Sequence, residues 1–388
     1  MNKLTNFLVN TFFVIAIVDA ANIFTGLKTK LFVLLLIFLI FTHNSYLQKR
    51  YFKKFGIILF ISIVCYLCGR IYGYPCNDSF FVQYTMSFSL LLILAWEKYI
   101  HVEKGMWIAA NLLAYGTILA YFLCFVFPQF EQIITDFANN AEETRVIYIS
   151  SRTFLGFNFD GVFYTPLAFV VLPCSIVLYR LFNNIGSKSN NLYLAILYSF
   201  ALFCGGNRAC LMCIVILWGG FGIFMLVSKY PILKAILLPI CAMGIFALFL
   251  AFSNEKGEDS NDIKQLHLLA YKQLWTSNPL AYLTGMGAGS KIYSPGFHAK
   301  TELMEWTYLE LVRLYGIFSV YILYVFYEPV YRLWKNRKKY YYGMPVAMGC
   351  FLYMISSYGN PYLINSTGFC LLIYLYSYIA NCKRKNGK

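Results

Sequence analysis

Four short stretches of the chain combine residue types that can bind a phosphate or move a proton. In CGGNRACLM, Arg208 follows Gly205 and Gly206 at a short turn between two apolar runs. A guanidinium there, beside backbone N–H groups that open the next helix, favours a phosphate or diphosphate. The same side chain can instead snorkel to a membrane interface. In SSRTFLGFNF, Arg152 precedes Phe154, Phe157 and Phe159, and Arg145 lies seven residues upstream. Cations beside flat rings suit a sugar phosphate, because rings stack on sugar faces while Arg neutralises the anion. A solvated interface anchored by Phe accounts for the same residues.

The third and richest stretch is SPGFHAKTELMEWTYLELVRLYGIF. Pro295 and Gly296 punctuate a loop, and the pattern after them predicts a helix starting around Phe297. On such a helix His298, Glu302, Glu305, Leu309 and Arg313 fall within roughly 80 degrees of arc. An acid–base group then tops a polar stripe that continues into the membrane, with Glu302, Glu305 and Arg313 as candidate substrate contacts, and His titrates in the range that proton transfer near neutral pH requires. A loop His is otherwise simply solvated. Glu310, one turn from Arg313, can pair with it. Arg70, in CGRIYG, is the fourth place: a phosphate partner or an interface anchor. Gly285, Gly287 and Gly289 alternate in LTGMGAGSK without the strand and helix of a dinucleotide site, so a flexible loop is expected there.

The elements that must position these residues are set by composition. The 388 residues are 60% hydrophobic and 13% charged, with a mean hydropathy of +0.60, which excludes an ordinary soluble surface. Apolar runs long enough to span a bilayer lie near 7–24, 31–47, 55–74, 80–96, 106–128, 161–182, 191–205, 209–228, 231–253, 306–329, 343–358 and 362–380. The expectation is an all-α polytopic bundle of about twelve transmembrane helices forming a single domain over 1–388. The net charge of +15 does not mark a nucleic-acid face, since Lys and Arg gather in short loops. These are Lys49, Arg50, Lys53 and Lys54, then Lys98 and Lys104, Arg180 and Lys188, Lys229, the cluster from Arg332 to Lys339, and Lys383 to Lys388. By the positive-inside rule they are cytoplasmic, with both termini. The longer loops 129–160 and 254–305, which hold most of the candidate chemistry, then face the periplasm. The twelve Cys lie mostly in apolar segments, so neither a disulfide framework nor zinc is expected. No phosphate-binding Walker loop, acidic pair for a nucleotide sugar or internal repeat is visible. An enzyme of this kind takes its energy from an already activated substrate.

The layout resembles the O-antigen polymerase and O-antigen ligase superfamily. The likeness rests on the helix number, on Arg208 in GGNRACLM, on a long external loop with His298 followed by YLELVRLYGI, and on the late segment NPYLINSTGF. It implies a GT-C-like helical bundle in the bacterial inner membrane, acting at the periplasmic face on glycans linked to undecaprenyl diphosphate. The implied reaction is glycosyl transfer of a growing chain onto a new lipid-linked repeat unit, with no metal, cofactor or nucleotide sugar. Membrane lipid is the surrounding partner, and a flippase and a chain-length regulator are expected neighbours. Arg208 takes the role of stabilising the diphosphate and His298 that of the loop histidine near the reacting sugar. Arg152 corresponds loosely to a further external Arg, and Glu302 and Glu305 receive no role. Two other readings stay open: a ligase that hands glycan to a lipid or protein acceptor, and a non-enzymatic flippase or transporter of lipid-linked glycan.

Overall fold

A computed structural model describes residues 3–20, 26–43, 47–140, 147–154, 157–229, 243–244, 258–360 and 363–385. In chain order the helices are α1 (Lys3–Val18), α2 (Leu27–His43), α3 (Lys49–Ile71), α4 (Asp78–Ser87), α5 (Glu103–Val126), α6 (Pro128–Asn140), α7 (Val171–Phe182), α8 (Lys188–Cys204) and α9 (Arg208–Lys229). They continue as α10 (Glu258–Ser277), α11 (Pro279–Thr284), α12 (Thr307–Tyr315), α13 (Ser319–Lys335), α14 (Gly343–Ser356) and α15 (Ser366–Lys385). Two antiparallel hairpins interrupt them, β1 (Ile147–Phe154) with β2 (Phe157–Tyr164), and β3 (Ile292–Ser294) with β4 (Ala299–Thr301). Tightly wound 3₁₀ turns extend α4 through Phe88–Trp96 and lead into α7 through Thr165–Val170.

Five helical segments among the described residues are long and apolar enough to cross a membrane: Lys49–Ile71, Asp78–Trp96, Glu103–Val126, Thr165–Phe182 and Thr307–Lys335. Each of the other candidate spans also holds a helix except 231–253, which apart from 243–244 lies outside the described residues. On α3 and α5 the rings and branches of Phe60, Leu67, Leu112, Leu119 and Phe122 stand exposed. Water does not tolerate so continuous an apolar face, and lipid does.

The centre of the bundle is α7, buried from Val171 to Leu178. In lipid, helices gain little from hiding apolar surface and associate through close packing and polar contacts. Here a Cβ on Gly349 of α14 would come within 2.9 Å of Leu172 Cα, and Ser175 Oγ donates to the Pro345 carbonyl at 2.7 Å. A small residue thus lets two backbones approach while a hydroxyl locks them. The sequence also spaces Cys65 with Cys68 and Cys210 with Cys213 as Cys-x-x-Cys pairs. Both pairs sit within helices as free thiols.

The basic loops gather at one end of the bundle. Arg50 pairs with Glu97, Lys54 approaches Glu328 at 3.6 Å, and Arg332 binds Glu328 at 3.0 Å. Asn381 near the end of α15 donates to the Ile100 carbonyl at 2.9 Å. The opposite end carries both hairpins, and with them the candidate chemistry.

Candidate functional site

The turn that carries Arg208 depends on glycine. Gly206 adopts a left-handed φ of +61°, a conformation that costs an L side chain roughly 1–2 kcal/mol and glycine nothing. A Cβ on Gly161 of β2 would fall 2.7 Å from Gly206 Cα, so hairpin and turn meet backbone to backbone. Asn207 then caps α9, its Oδ1 accepting from the N–H of Ala209 at 2.9 Å and of Cys210 at 3.4 Å. This corrects one expectation: two N–H groups that an anion at the helix start would use are already occupied. Arg208 itself opens α9 and is half-buried.

Strand pairing brings the backbone of a second candidate arginine toward this turn. Ser150 lies opposite Gly161, and Arg152 opposite Phe159. With a two-residue period, Arg152 holds a register position on the hairpin face that Gly161 turns to Gly206. Its backbone is then on the order of 10–15 Å from that of Arg208. Arg152 is described by its backbone alone, and Arg145 lies outside the described residues. At the other end of the hairpin the Tyr164 hydroxyl donates to the Val18 carbonyl, tying β2 to the end of α1.

The run around His298 differs from its expected form. The chain makes the β3–β4 hairpin instead of a helix from Phe297, and α12 starts only at Thr307. Local chemistry explains the change. Ser294 Oγ accepts from the Phe297 N–H at 3.1 Å, closing a Ser-Pro-Gly turn. His298 and Trp306 both take left-handed backbones, with φ of +51° and +66°, which no helix accommodates. The single polar stripe therefore does not exist. His298 sits exposed at the hairpin tip, while Glu302 and Glu305 lie in the loop before α12.

Those two carboxylates serve the loop. Glu302 Oε1 accepts from Asn77 Nδ2 at 2.9 Å and from Lys291 Nζ at 3.0 Å. Burial pushes its carboxyl up, yet the hydrogen bonds from Asn77, Lys291 and the backbone outweigh that and leave it below the usual carboxylate range. Glu305 Oε2 lies 3.8 Å from Lys264 Nζ. Arg70 is bound to Asp78 and to the Tyr66 hydroxyl at an exposed position, where such a pair contributes little to stability.

Arg313 is fully buried at 0% exposure, and all its donors are engaged. Nε and Nη2 clasp the Glu310 carboxylate, Nη1 donates to the Ser290 carbonyl at 3.1 Å and hydroxyl at 2.9 Å, and Nη2 also donates to the Glu302 carbonyl. A guanidinium has five N–H groups, and these contacts use them. The pairing with Glu310 agrees with the expectation, whereas substrate binding by Arg313 is corrected: it anchors the glycine loop and the segment after β4. Gly285, Gly287 and Gly289 are likewise not loose. A Cβ on Gly287 would lie 2.2 Å from Tyr66 Cα, and one on Gly285 would lie 2.5 Å from the Leu314 carbonyl oxygen, so the loop is wedged between α3 and α12.

One site residue escaped sequence reasoning. His267 is buried in α10, its Nε2 2.8 Å from Ser294 Oγ and its ring edge-on to Phe297 at 4.6 Å. It thereby seats the hairpin that presents His298. The available signal was its place in the stripe Ile263, His267, Ala270, Tyr271 and Leu274, where it is the one polar group at an i, i+4, i+7 spacing. Burial, with Lys264 adding to it, lowers its pKa from 6.5 to about 4. Between those values the unfolded chain takes up a proton that the folded one refuses, so this contribution is complete above pH 6.5 and disappears as pH falls toward 4. It amounts to at most about 3 kcal/mol. Melting of the detergent-solubilised protein should drop steeply across that window and more shallowly in His267→Gln. Equal slopes would show that His267 carries none of the acid sensitivity.

No family model, curated protein or solved structure matches the chain. The site must therefore be read from its own geometry. That geometry is a set of paired loops at one end of an apolar bundle, with a half-buried Arg under one hairpin and an exposed His at the tip of the other.

Proposed function

We propose that the protein is a glycosyltransferase that polymerises oligosaccharide repeat units carried on undecaprenyl diphosphate, at the outer face of the bacterial inner membrane. The observation that supports this reading best is the contact of Gly161 with Gly206, which brings the hairpin bearing Arg152 onto the turn bearing Arg208. Two cations from separate external segments suit a leaving group that gains negative charge as the glycosidic bond breaks. The hydroxyl of the incoming repeat unit must lose a proton as it attacks, and His298 on its exposed hairpin is the group proposed to take it. The new glycosidic bond replaces the sugar–phosphate bond, and undecaprenyl diphosphate leaves with the electron pair. The transferred chain brings its own activation, so no nucleotide sugar enters.

Purified protein in liposomes loaded with lipid-linked repeat units should yield a ladder of longer glycans and release undecaprenyl diphosphate in proportion. Movement of intact lipid-linked glycan across the bilayer without either product would establish a transporter instead. Glycan appearing only on a separate lipid or protein acceptor would establish a ligase.

A further inference from the structure

The two helices joined by the Arg208 turn enclose a groove that the reading above leaves unused. Its volume is about 390 Å³, and it is walled by Ile196, Phe200 and Phe203 of α8 and by Leu211, Val215 and Trp218 of α9. On each helix these residues repeat at i, i+4 and i+7, so each turns one face to the space between them. Phe200 and Phe203 stand 6.4 Å apart with nearly parallel rings and form one wall. On the other, the Trp218 ring meets Phe182 of α7 edge-on at 6.0 Å.

Nothing in the groove calls for a polar ligand. Among its lining side chains only Ser199 and Trp218 carry a polar atom, and these satisfy each other, Trp218 Nε1 donating to Ser199 Oγ at 2.9 Å. A dry, concave space of this kind takes hydrocarbon. Ile196 and Phe200 are exposed, so the groove opens to the lipid around the bundle.

The position of the groove along the helices says which hydrocarbon. A short turn joins α8 to α9, so the two run antiparallel, with Phe203 and Leu211 nearest the turn and Ile196 and Trp218 farthest from it. Arg208, Leu211, Val215 and Trp218 fall within roughly 80 degrees of arc on α9, so the arginine position tops the same stripe that lines the groove. From Arg208 to Trp218 the helix rises about 15 Å, half of a hydrocarbon core about 30 Å thick. The groove thus has the depth of one leaflet and a cation position at its head, which matches an amphiphile with an anionic headgroup.

We infer that this groove holds the first isoprene units of the lipid-linked substrate, below a diphosphate at Arg208. The inference rests on the polymerase reading and adds to it the surface that aligns the carrier lipid. Continuity selects the occupant: a chain attached to a diphosphate at Arg208 must leave that residue along an apolar path, and the α8–α9 groove begins one helical turn away. Seating the chain there sets the depth and direction of the headgroup, so contacts remote from the reacting bond position it.

The test uses full-length protein in lipid nanodiscs and a polyisoprenyl diphosphate that carries a photoreactive diazirine in an isoprene unit next to the headgroup. Illumination should label α8 and α9 between Ile196 and Trp218, as read by mass spectrometry of the peptides. Undecaprenyl diphosphate should remove the label, and an equal concentration of phosphatidylglycerol should not. Val215→Phe, which fills the groove, should lower labelling about 10-fold while melting like wild type. Ile196→Trp, at a lipid-exposed position, should do the same and decides alone if Val215→Phe melts early. Arg208→Ala should let uncharged undecaprenol compete as well as the diphosphate does. Label confined to other helices, equal displacement by phosphatidylglycerol, or unchanged labelling in the groove variants overturns the inference. The two levels fail differently. Label elsewhere, with normal polymer from both groove variants, refutes this site and leaves the polymerase reading standing, whereas groove labelling without any polymer from wild type refutes the reading and leaves the site.

Discussion

Arg313→Met is expected to be the most destabilising single substitution at the hairpin end. It removes the cation from a fully buried pair and strands the Glu310 carboxylate, together with the Ser290 and Glu302 carbonyls, away from water. Breaking a buried ion pair from one side costs about 3–5 kcal/mol, because the remaining charge keeps its desolvation penalty without its partner. Tyr271, whose hydroxyl donates to Glu310 Oε2 at 2.7 Å, cannot replace a cation. The loss should appear as a markedly lower melting temperature in detergent and as faster proteolysis within 285–306, with helix content retained. The double variant Arg313→Met/Glu310→Gln should recover a substantial part, since an amide needs no counter-ion. A double variant no more stable than the single one would mean that the pair matters through its carbonyl contacts and not through charge.

The same residue shows what the sequence could convey about this chain. The apolar runs announce their helices because the bilayer demands about twenty such residues, a requirement local enough to read directly. Thus α3, α5 and the Thr307–Lys335 segment lie close to where hydropathy puts them. The i, i+3 pairing of Glu310 with Arg313 was equally local and equally visible. What was not visible depends on partners far along the chain. Ser290, 23 residues away, supplies the contacts that turn Arg313 from a candidate ligand contact into an anchor. The hairpin at His298 came from a Ser-Pro-Gly turn seated on His267, 27 residues upstream of Ser294. A helical wheel drawn from Phe297 has no means of seeing that seat. His267 itself reads as one more member of an amphipathic face until the fold turns that face onto the hairpin. The meeting of the segments that carry Arg152 and Arg208 rests on a pair of glycines, 161 and 206, whose only sequence signal is the absence of a side chain.

The second large effect is expected in catalysis. Arg208→Ala should lower polymerisation by about 100-fold or more, the usual consequence of deleting a preorganised donor at a developing anion. The turn itself should persist, since Asn207 continues to cap α9 and Gly206 continues to receive the hairpin. Arg208→Lys keeps the charge but not the planar fork, so it should recover only a minor share if the guanidinium binds two phosphate oxygens at once. For His298 the backbone dictates the right substitution. Its φ of +51° makes Ala a confounded choice, because an Ala variant would lose the imidazole and strain the turn together. Asn tolerates that conformation and cannot act as a base at neutral pH. His298→Asn should therefore fall by about 100-fold while melting like wild type, within the 10²–10⁴ range that a general base contributes. Polymer of normal length and rate from His298→Asn would mean that the imidazole only completes the turn, a role for which His is well suited, and that proton removal belongs to another group. Normal polymer from Arg208→Ala as well would remove the chemical basis of the proposed function altogether.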